Sequence, residues 1–359
     1  MSHSFAHERR LAELAVQRAA VLTEKVLKSV NKGEISKNDS TPVTIADFAA
    51  QALLIGAIHK AFPSDGFIGE EDSNALKQDD SLRQRVWELV SSTHLEDEES
   101  DALLATPSSI DEMLDILDLG GQGAGGRTGR IWMLDPIDGT AAFIRGEQYA
   151  ISLALVEDGK EILGVLGCPN LNLETGRVHE QIVDKEGMGL MISAVKGEGA
   201  IIRPIGRGGL QTAQKIEVSS AGPENLKDLH FVDWTSSAVW RIDKIRKIAD
   251  QLGASYPGTE VWSSHMRYVA LIVGGGDVQL RIPVKKDKAS YVWDHAGAQL
   301  IFKEVGGKIT DLNGDEIDFG AGRQLSNNWG MIVVREGLYP KIWELAQEAL
   351  DGEDVGSKF

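Results

Sequence analysis

Apolar positions along the chain follow a helical period first and then alternate with strand-like runs. From residue 5 to 32, Leu11, Leu14, Ala15, Leu22, Val26 and Val30 recur near helical spacing and Gly33 ends the run, which predicts a long amphipathic helix. A second helix over 45–61 turns Ala49, Leu53, Leu54 and Ile58 inward. Gly66–Ile68 reads as a short strand that breaks into Gly69-Glu70-Glu71. Residues 72–120 read as helical and acidic, with Ser109 and Glu112 forming a capping box before IDEMLDILDL. This segment resembles an insertion or lid more than a core. A strand at Ile131–Leu134 follows. The apolar runs YAISLALV and EILGVLG, joined by Asp158-Gly159, then predict a hairpin, and short strands continue over 178–218.

Near residue 226 strands and helices begin to alternate. HFVDW and DVQLRIPV read as strands, AVWRIDKIRKIADQL as a helix ended by Gly253, and 264–273 as a helix stopped by Gly274-Gly275-Gly276. WDHAGAQLIFKEV is a helix ended by Gly306-Gly307, and KITDLNGDEIDF a hairpin around Asn313-Gly314. GMIVV is a strand, YPKIWELAQEAL a closing helix and DGEDVGSKF a loose tail. The order implies an α/β fold with an α+β N-terminal part. We expect two domains, 1–225 and 226–359.

Composition narrows the class. At 42% hydrophobic and 25% charged, the 359 residues are those of an ordinary globular protein. No apolar run approaches the roughly 20 residues of a membrane span, and the N-terminus shows no secretory apolar region. A single cysteine, Cys168, excludes an intrachain disulfide and suits a reducing, cytoplasmic setting. The net charge of −17 argues against nucleic-acid polymers and anionic membranes. A small phosphorylated substrate remains compatible if bound cations invert the local field. The G-x-G-x-x-G at Gly121, Gly123 and Gly126 has a helix before it and a strand after it. That is the reverse of a dinucleotide site, so the loop reads as a connector.

The candidate chemistry lies in carboxylates at element boundaries. In LDPIDGT, Asp135 and Asp138 flank Pro136-Ile137 at the end of a strand. Such a stretch is a common turn. It is also a stiff, hard-oxygen site for Mg²⁺ with the Ile137 carbonyl as a third ligand. Thr140 adds a hydroxyl, and the Gly139-Thr140 N–H groups could face a phosphate. Glu70 and Glu71 follow a strand, Asp47 fits a capping box with Thr44, and Asp294 precedes a helix as an N-cap would. His295 beside it reads as a packed or surface histidine. Taken together, Asp47, Glu70, Asp135, Asp138 and Asp294 would repel one another unless two or three Mg²⁺ ions neutralised them. The chemistry suggested is in-line hydrolysis of a phosphate ester by a metal-activated water.

The series TPVTIADFAAQ, FIGEEDS, LDPIDGT, FIRGEQYAISLALV, LGCPNL and WDHAGAQLIFKEVGG resembles the lithium-sensitive, Mg²⁺-dependent phosphomonoesterases that include inositol monophosphatase. RGEQYA, GCPNL, LRIPV and DFGAGR are most similar to the fungal 3'(2'),5'-bisphosphate nucleotidase branch. The resemblance implies a layered αβαβα sandwich, lithium inhibition, a place in sulfur assimilation, and removal of the 3'-phosphate from adenosine 3',5'-bisphosphate or its sulfated form; we expect a monomer, although the sequence does not give the oligomeric state. It implies that Glu70, Asp135 and the Ile137 carbonyl hold one Mg²⁺, and that Asp135, Asp138 and Asp294 hold a second. Asp47 and Thr140 would orient and deprotonate the attacking water, while Gly139 and Thr140 contact the scissile phosphate. Ser264, Arg267, Arg281 and Asp294 would read the second phosphate and nucleoside.

Three departures stand out: Arg267 replaces a lysine, Trp234-Thr235-Ser236-Ser237-Ala238 lacks both histidines of a Gly-His-Ser-Ser-His run, and Ala141-Ala142 replaces Lys-Gly. They leave open the same chemistry on an inositol polyphosphate or another phosphorylated metabolite. A silent phosphate-binding protein is the competing class, and the intact carboxylate set with Thr140 argues against it.

Overall fold

The computed structural model describes residues 4–31, 41–285 and 289–350. Gly33 and the tail from 351 lie outside them. The first helices are α1 (Ala6–Asn31) and α2 (Thr41–Ala61), followed by strand β1 (Gly66–Gly69). Four helices lead onward: α3 (Asn74–Gln78), α4 (Asp80–Ser92), α5 (Glu98–Asp101) and α6 (Ile110–Gly121). Next come β2 (Arg130–Asp138), α7 (Thr140–Arg145), β3 (Ala150–Glu157), β4 (Lys160–Cys168), β5 (Leu190–Val195), β6 (Gly199–Pro204) and β7 (Gln214–Lys215). The remainder is β8 (Val232–Asp233), α8 (Ile242–Leu252), β9 (Thr259–Glu260), α9 (Ser264–Ile272), β10 (Val278–Arg281), α10 (Ala296–Glu304), β11 (Gly307–Thr310), β12 (Met331–Arg335) and α11 (Tyr339–Leu350).

Strands β1 to β7 form one sheet in chain order; β1 and β2 are parallel and the later pairs antiparallel. A second, antiparallel sheet has the order β10-β12-β11, and β8 pairs with β9. Side chains of a strand alternate between faces, so each sheet serves two cores. On β2, Trp132 and Leu134 pack with α1 and α2, whereas Ile131 and Met133 pack with α9 and α10. On β12, Met331 and Val333 join that same middle layer, whereas Ile332 and Val334 face α8 and α11. The result is the expected αβαβα order. Burial on both faces explains the near-continuous apolar runs of β3 and β4. The α10 backbone comes so close to β4 that a Cβ on Gly164 would lie 2.4 Å from the Gly297 carbonyl oxygen.

The hairpin at Asp158-Gly159 forms, with both residues at positive φ. Ser109 caps α6, its hydroxyl accepting from the Glu112 N–H at 3.2 Å, but the Glu112 carboxylate accepts from Ser108. Four expectations need correction. Residues 72–120 are no lid, because Val86, Val90, Met113 and Leu117 are fully buried against α2 and the first core. The helix expected from Ala238 starts at Ile242. Before it, Arg241 N–H donates to the Ile282 carbonyl and Trp240 bridges to Pro283, which holds the chain extended. HFVDW keeps only Val232–Asp233 as strand. The Asn313-Gly314 turn forms without a second strand, since the Asp311 carboxylate collects the Asn313 and Asp315 N–H groups and β11 pairs with β12 instead. No helix among the described residues is long and apolar enough to cross a membrane.

Candidate active site

β2 supplies the centre of the site through a local irregularity. Asp135 pairs with Ser152 and Asp138 with Ala150, three residues against two, so β2 carries one extra residue between the aspartates. Strict alternation would send side chains three apart to opposite faces. The bulge, at Pro136 where no N–H is available for the ladder, turns both carboxylates to one side. Gly139 follows at φ +95°, a conformation that favours glycine. A Cβ there would also meet Ser263 Cβ at 2.9 Å. The chain then enters α7 at Thr140.

Asp294 comes from the far side, in the short turn before α10. Oxygens of Asp135, Asp138 and Asp294 lie within 4.8 Å of one another, a spacing that a shared cation can bridge. Neither proposed capping role holds. The residue capping α10 is His295, and α2 begins at Thr41, so Asp47 is inside the helix rather than three residues past its cap. Asp47 is 5% exposed and its Oδ1 has no partner.

Electrostatics show how strongly these acids depend on a counter-charge. Burial, then Glu70, Asp138 and Asp294, push Asp135 well above the ordinary carboxylate range. Burial and Asp138 push Asp294 up to about 7. Glu70 is exposed over much of its side chain, yet loss of hydration at its inward end, with Glu71, Asp294 and Asp138, takes it to about 8. Asp47 is raised by burial, Glu71 and Glu70. Buried like charges with a vacant acceptor form a hard-oxygen donor set suited to divalent cations. Asp135, Asp138 and Asp294 are therefore brought together, with Glu70 and Asp47 electrostatically linked to them. Thr140 is not joined to Asp47, because its hydroxyl donates to the Ile137 carbonyl at 3.4 Å.

Ser263 is the residue that the sequence reading missed. It caps α9, accepting from Met266 N–H at 3.0 Å, and donates to Asp138 Oδ2 at 2.5 Å, where His265 N–H also donates. The paired serines before an apolar helix were the available signal. Ser264, next to it, accepts from Arg267 Nη2 at 3.0 Å. Arg267 and Arg281 are each only 4% exposed, so neither is a solvated charge. Arg267 Nη1 donates to the Val261 and Trp262 carbonyls. Arg281 Nη1 donates to His295 Nε2 at 3.2 Å, while its buried Nη2 has no partner. His295, fully buried, meets Tyr268 Oη through Nδ1.

Residues 7–349 match the inositol monophosphatase family. The chain belongs to this family. A 3'(2'),5'-bisphosphate nucleotidase from Emericella nidulans is 39% identical over 353 residues, covering 97% of this chain and 99% of its own. A Schizosaccharomyces pombe protein of the same name is 38% identical, covering 98% of each chain. Family membership extends to the fold: inositol monophosphatase-II from Staphylococcus aureus superposes with a TM-score of 0.59 at 18% identity, covering 98% of this chain and 100% of its own.

Proposed function

We propose that this phosphoric monoester hydrolase removes the 3'-phosphate of adenosine 3',5'-bisphosphate, and of its sulfated form, releasing phosphate and the 5'-nucleotide. The observation behind the reading is the convergence of Asp135, Asp138 and Asp294 beside the unpartnered donor of Arg281. Substrate identity is supported by the names of the relatives, 34–39% identical over nearly the whole chain.

Glu70, Asp135, the Ile137 carbonyl, Asp138 and Asp294 would hold two or three Mg²⁺ ions. Bound Mg²⁺ supplies charge neutralisation and a more acidic water. Asp47 takes the proton of the attacking water through its open Oδ1. For Thr140 to relay that proton, its hydroxyl must rotate away from the Ile137 carbonyl. Gly139 and Thr140 position the scissile phosphate by their backbone. The P–O3' bond breaks as the P–O bond to water forms, and the 3'-oxygen leaves as an alkoxide that takes a proton from solvent water to become the hydroxyl. Ser264, Arg267, Arg281 and Asp294 hold the rest of the substrate. Arg281, with a spare donor, grips the second phosphate, and Arg267 shapes the wall around it.

The test is phosphate release with Mg²⁺ from a panel of nucleoside bisphosphates and inositol phosphates, with and without Li⁺. Release from adenosine 3',5'-bisphosphate and its suppression by Li⁺ are expected; no release from any bisphosphate nucleotide overturns the substrate assignment. A second reading, the same chemistry on an inositol polyphosphate, is favoured by the absence of histidine from the Trp234–Ala238 stretch, where Ala238 is exposed.

A further inference from the structure

Glu70 stands just past the end of β1 and is exposed. An exposed side chain has little packing to aim it, so its direction depends on the backbone that carries it. Both flanking residues are fixed from outside the loop. On one side, the amide of the fully buried Gln51, in α2, pairs with Glu71. Its Nε2 donates to the Glu71 carbonyl at 2.5 Å and its Oε1 accepts from the Glu71 N–H at 3.0 Å, as a neighbouring strand would pair. Gln51 lies one turn beyond Asp47, on the same face of α2. On the other side, Arg323 Nη2 donates to the Gly69 carbonyl at 2.7 Å, and Nη1 donates to the Gly120 and Gly123 carbonyls at 2.9 and 3.1 Å.

Arg323 also reaches the far arm of the cluster. Its carbonyl accepts from the Val292 N–H at 3.0 Å, and its guanidinium lies 4.7 Å from the centre of the Trp293 ring, which stacks on Tyr291 at 4.5 Å and 10°. Val292 and Trp293 lead directly into Asp294. One arginine therefore joins the peptide before Glu70, the end of α6 and the turn that carries Asp294. The glycine-rich connector finds its use here. A Cβ on Gly123 would lie 1.7 Å from the Phe67 carbonyl oxygen, and one on Gly121 2.4 Å from that of Glu71. Glycine at these positions lets the end of α6 lie against β1 and offer its carbonyls to Arg323.

We infer that Arg323 and Gln51 are positioning residues that fix the backbone on either side of Glu70 and aim its carboxylate at the cation site shared by Asp135, Asp138 and Asp294. The inference rests on the proposed function, in which Glu70 is a Mg²⁺ ligand, and names what holds that ligand in place. A guanidinium suits the task, because its planar fork serves several carbonyls from fixed directions while its face rests on an indole. Both residues act through Glu70.

The test is calorimetric titration of the full chain with Mg²⁺ alone, without substrate. Arg323→Met should weaken Mg²⁺ binding about tenfold, and Gln51→Met, which releases the same loop from the opposite side, should do likewise. Arg323→Lys should recover part of the loss, since it keeps a donor for Gly69. A double-mutant cycle separates positioning from general loosening. In a Glu70→Gln background, Arg323→Met should weaken Mg²⁺ binding further by less than about twofold. If Arg323→Met does not fold, Gln51→Met carries the same cycle. About tenfold losses in both backgrounds would make Arg323 a general structural brace and overturn the inference. Unchanged Mg²⁺ binding by either single variant, while Glu70→Gln weakens it, would remove that residue from the clamp. Absence of Mg²⁺ binding by the parent would sink the reading of the carboxylates as a cation site, and the clamp with it. Mg²⁺ binding that follows the expected cycle, without hydrolysis of any bisphosphate nucleotide, would sink the substrate assignment and leave the clamp standing.

Discussion

The two walls of the site are built on opposite principles. On the acidic wall, built from α2, the loop after β1, β2 and the turn before α10, Asp47 Oδ1 lacks a partner and burial with neighbouring carboxylates pushes Asp135, Asp294 and Glu70 upward in pKa. On the α9 side, Arg267 spends its donors on the Val261 and Trp262 carbonyls and on Ser264, and Ser263 serves Asp138 and α9 at once. The first wall is incomplete by itself and calls for cations. The second is more nearly self-satisfied; among its described residues Arg281 Nη2, His265 Nδ1 and the Trp234 N–H are buried without a partner. Incompleteness marks where ligands bind, and self-satisfaction marks a rigid frame that sets which ligand fits.

Breaking the acidic wall should give the largest effect. Asp138→Asn removes a charge that two donors from α9 hold in place, and kcat should fall by at least about a thousandfold. Phosphate release under saturating Mg²⁺ measures it; a loss under tenfold would refute the central role of the cluster. On the arginine wall, Arg281→Met should lower kcat/KM by about ten- to a hundredfold through KM, the scale of one charged hydrogen bond to phosphate. Arg267→Lys should cost more in stability than in KM, because its guanidinium bridges backbone carbonyls. If the two variants trade places, the division of labour between these arginines is reversed.

Stability should respond in the opposite sense. Without Mg²⁺, Asp135→Asn relieves repulsion in a cluster whose oxygens lie within 4.8 Å. The amide oxygen keeps the 3.1 Å bond from Ile137 N–H. The metal-free variant should melt roughly 2–5 °C above the metal-free parent. Saturating Mg²⁺ at a hundred times its Kd should stabilise the parent by about 2.7 kcal/mol and the variant by less. Melting curves with and without Mg²⁺ decide it; a lower melting temperature for the metal-free variant would show that the aspartate has a favourable partner.

Much of this was legible in the chain, for a physical reason: hydrophobic period and turn chemistry act locally. The Asp158-Gly159 hairpin, the α6 cap and the long first helix follow from neighbours a few residues apart. The acidic exposed face of 72–120 hid the Val86–Val90 stripe that ties α4 to α2. The start of α2 was missed although Thr41-Pro42, a helix-opening pair, stands at it. The bulge was not legible, because LDPIDGT reads the same as a turn or as a kinked strand end; only pairing with Ser152 and Ala150 separates them. Trp234 and Trp262 are 28 residues apart in sequence and meet only through the β8–β9 pairing.

The smallest effect bears on the frame, at Glu180. Burial, with Glu147 adding to it, raises this carboxyl to about 7, against the opposing pull of the Trp262 N–H and Arg145. One of its oxygens, Oε1, is buried without a partner. Because the folded-state pKa lies above the unfolded value of 4.5, the folded chain holds a proton that the unfolded chain has released between those pH values. Its contribution to stability is therefore complete below pH 4.5 and is lost as pH rises through about 7. Glu180→Gln keeps an acceptor for Trp262 and has no charge to desolvate. Relative to the parent, the variant should gain about 1 kcal/mol between pH 5 and pH 8, after allowance for partial exposure. Urea melts at the two pH values measure the difference, and parallel pH dependences would show that Glu180 is ionised in the folded frame throughout.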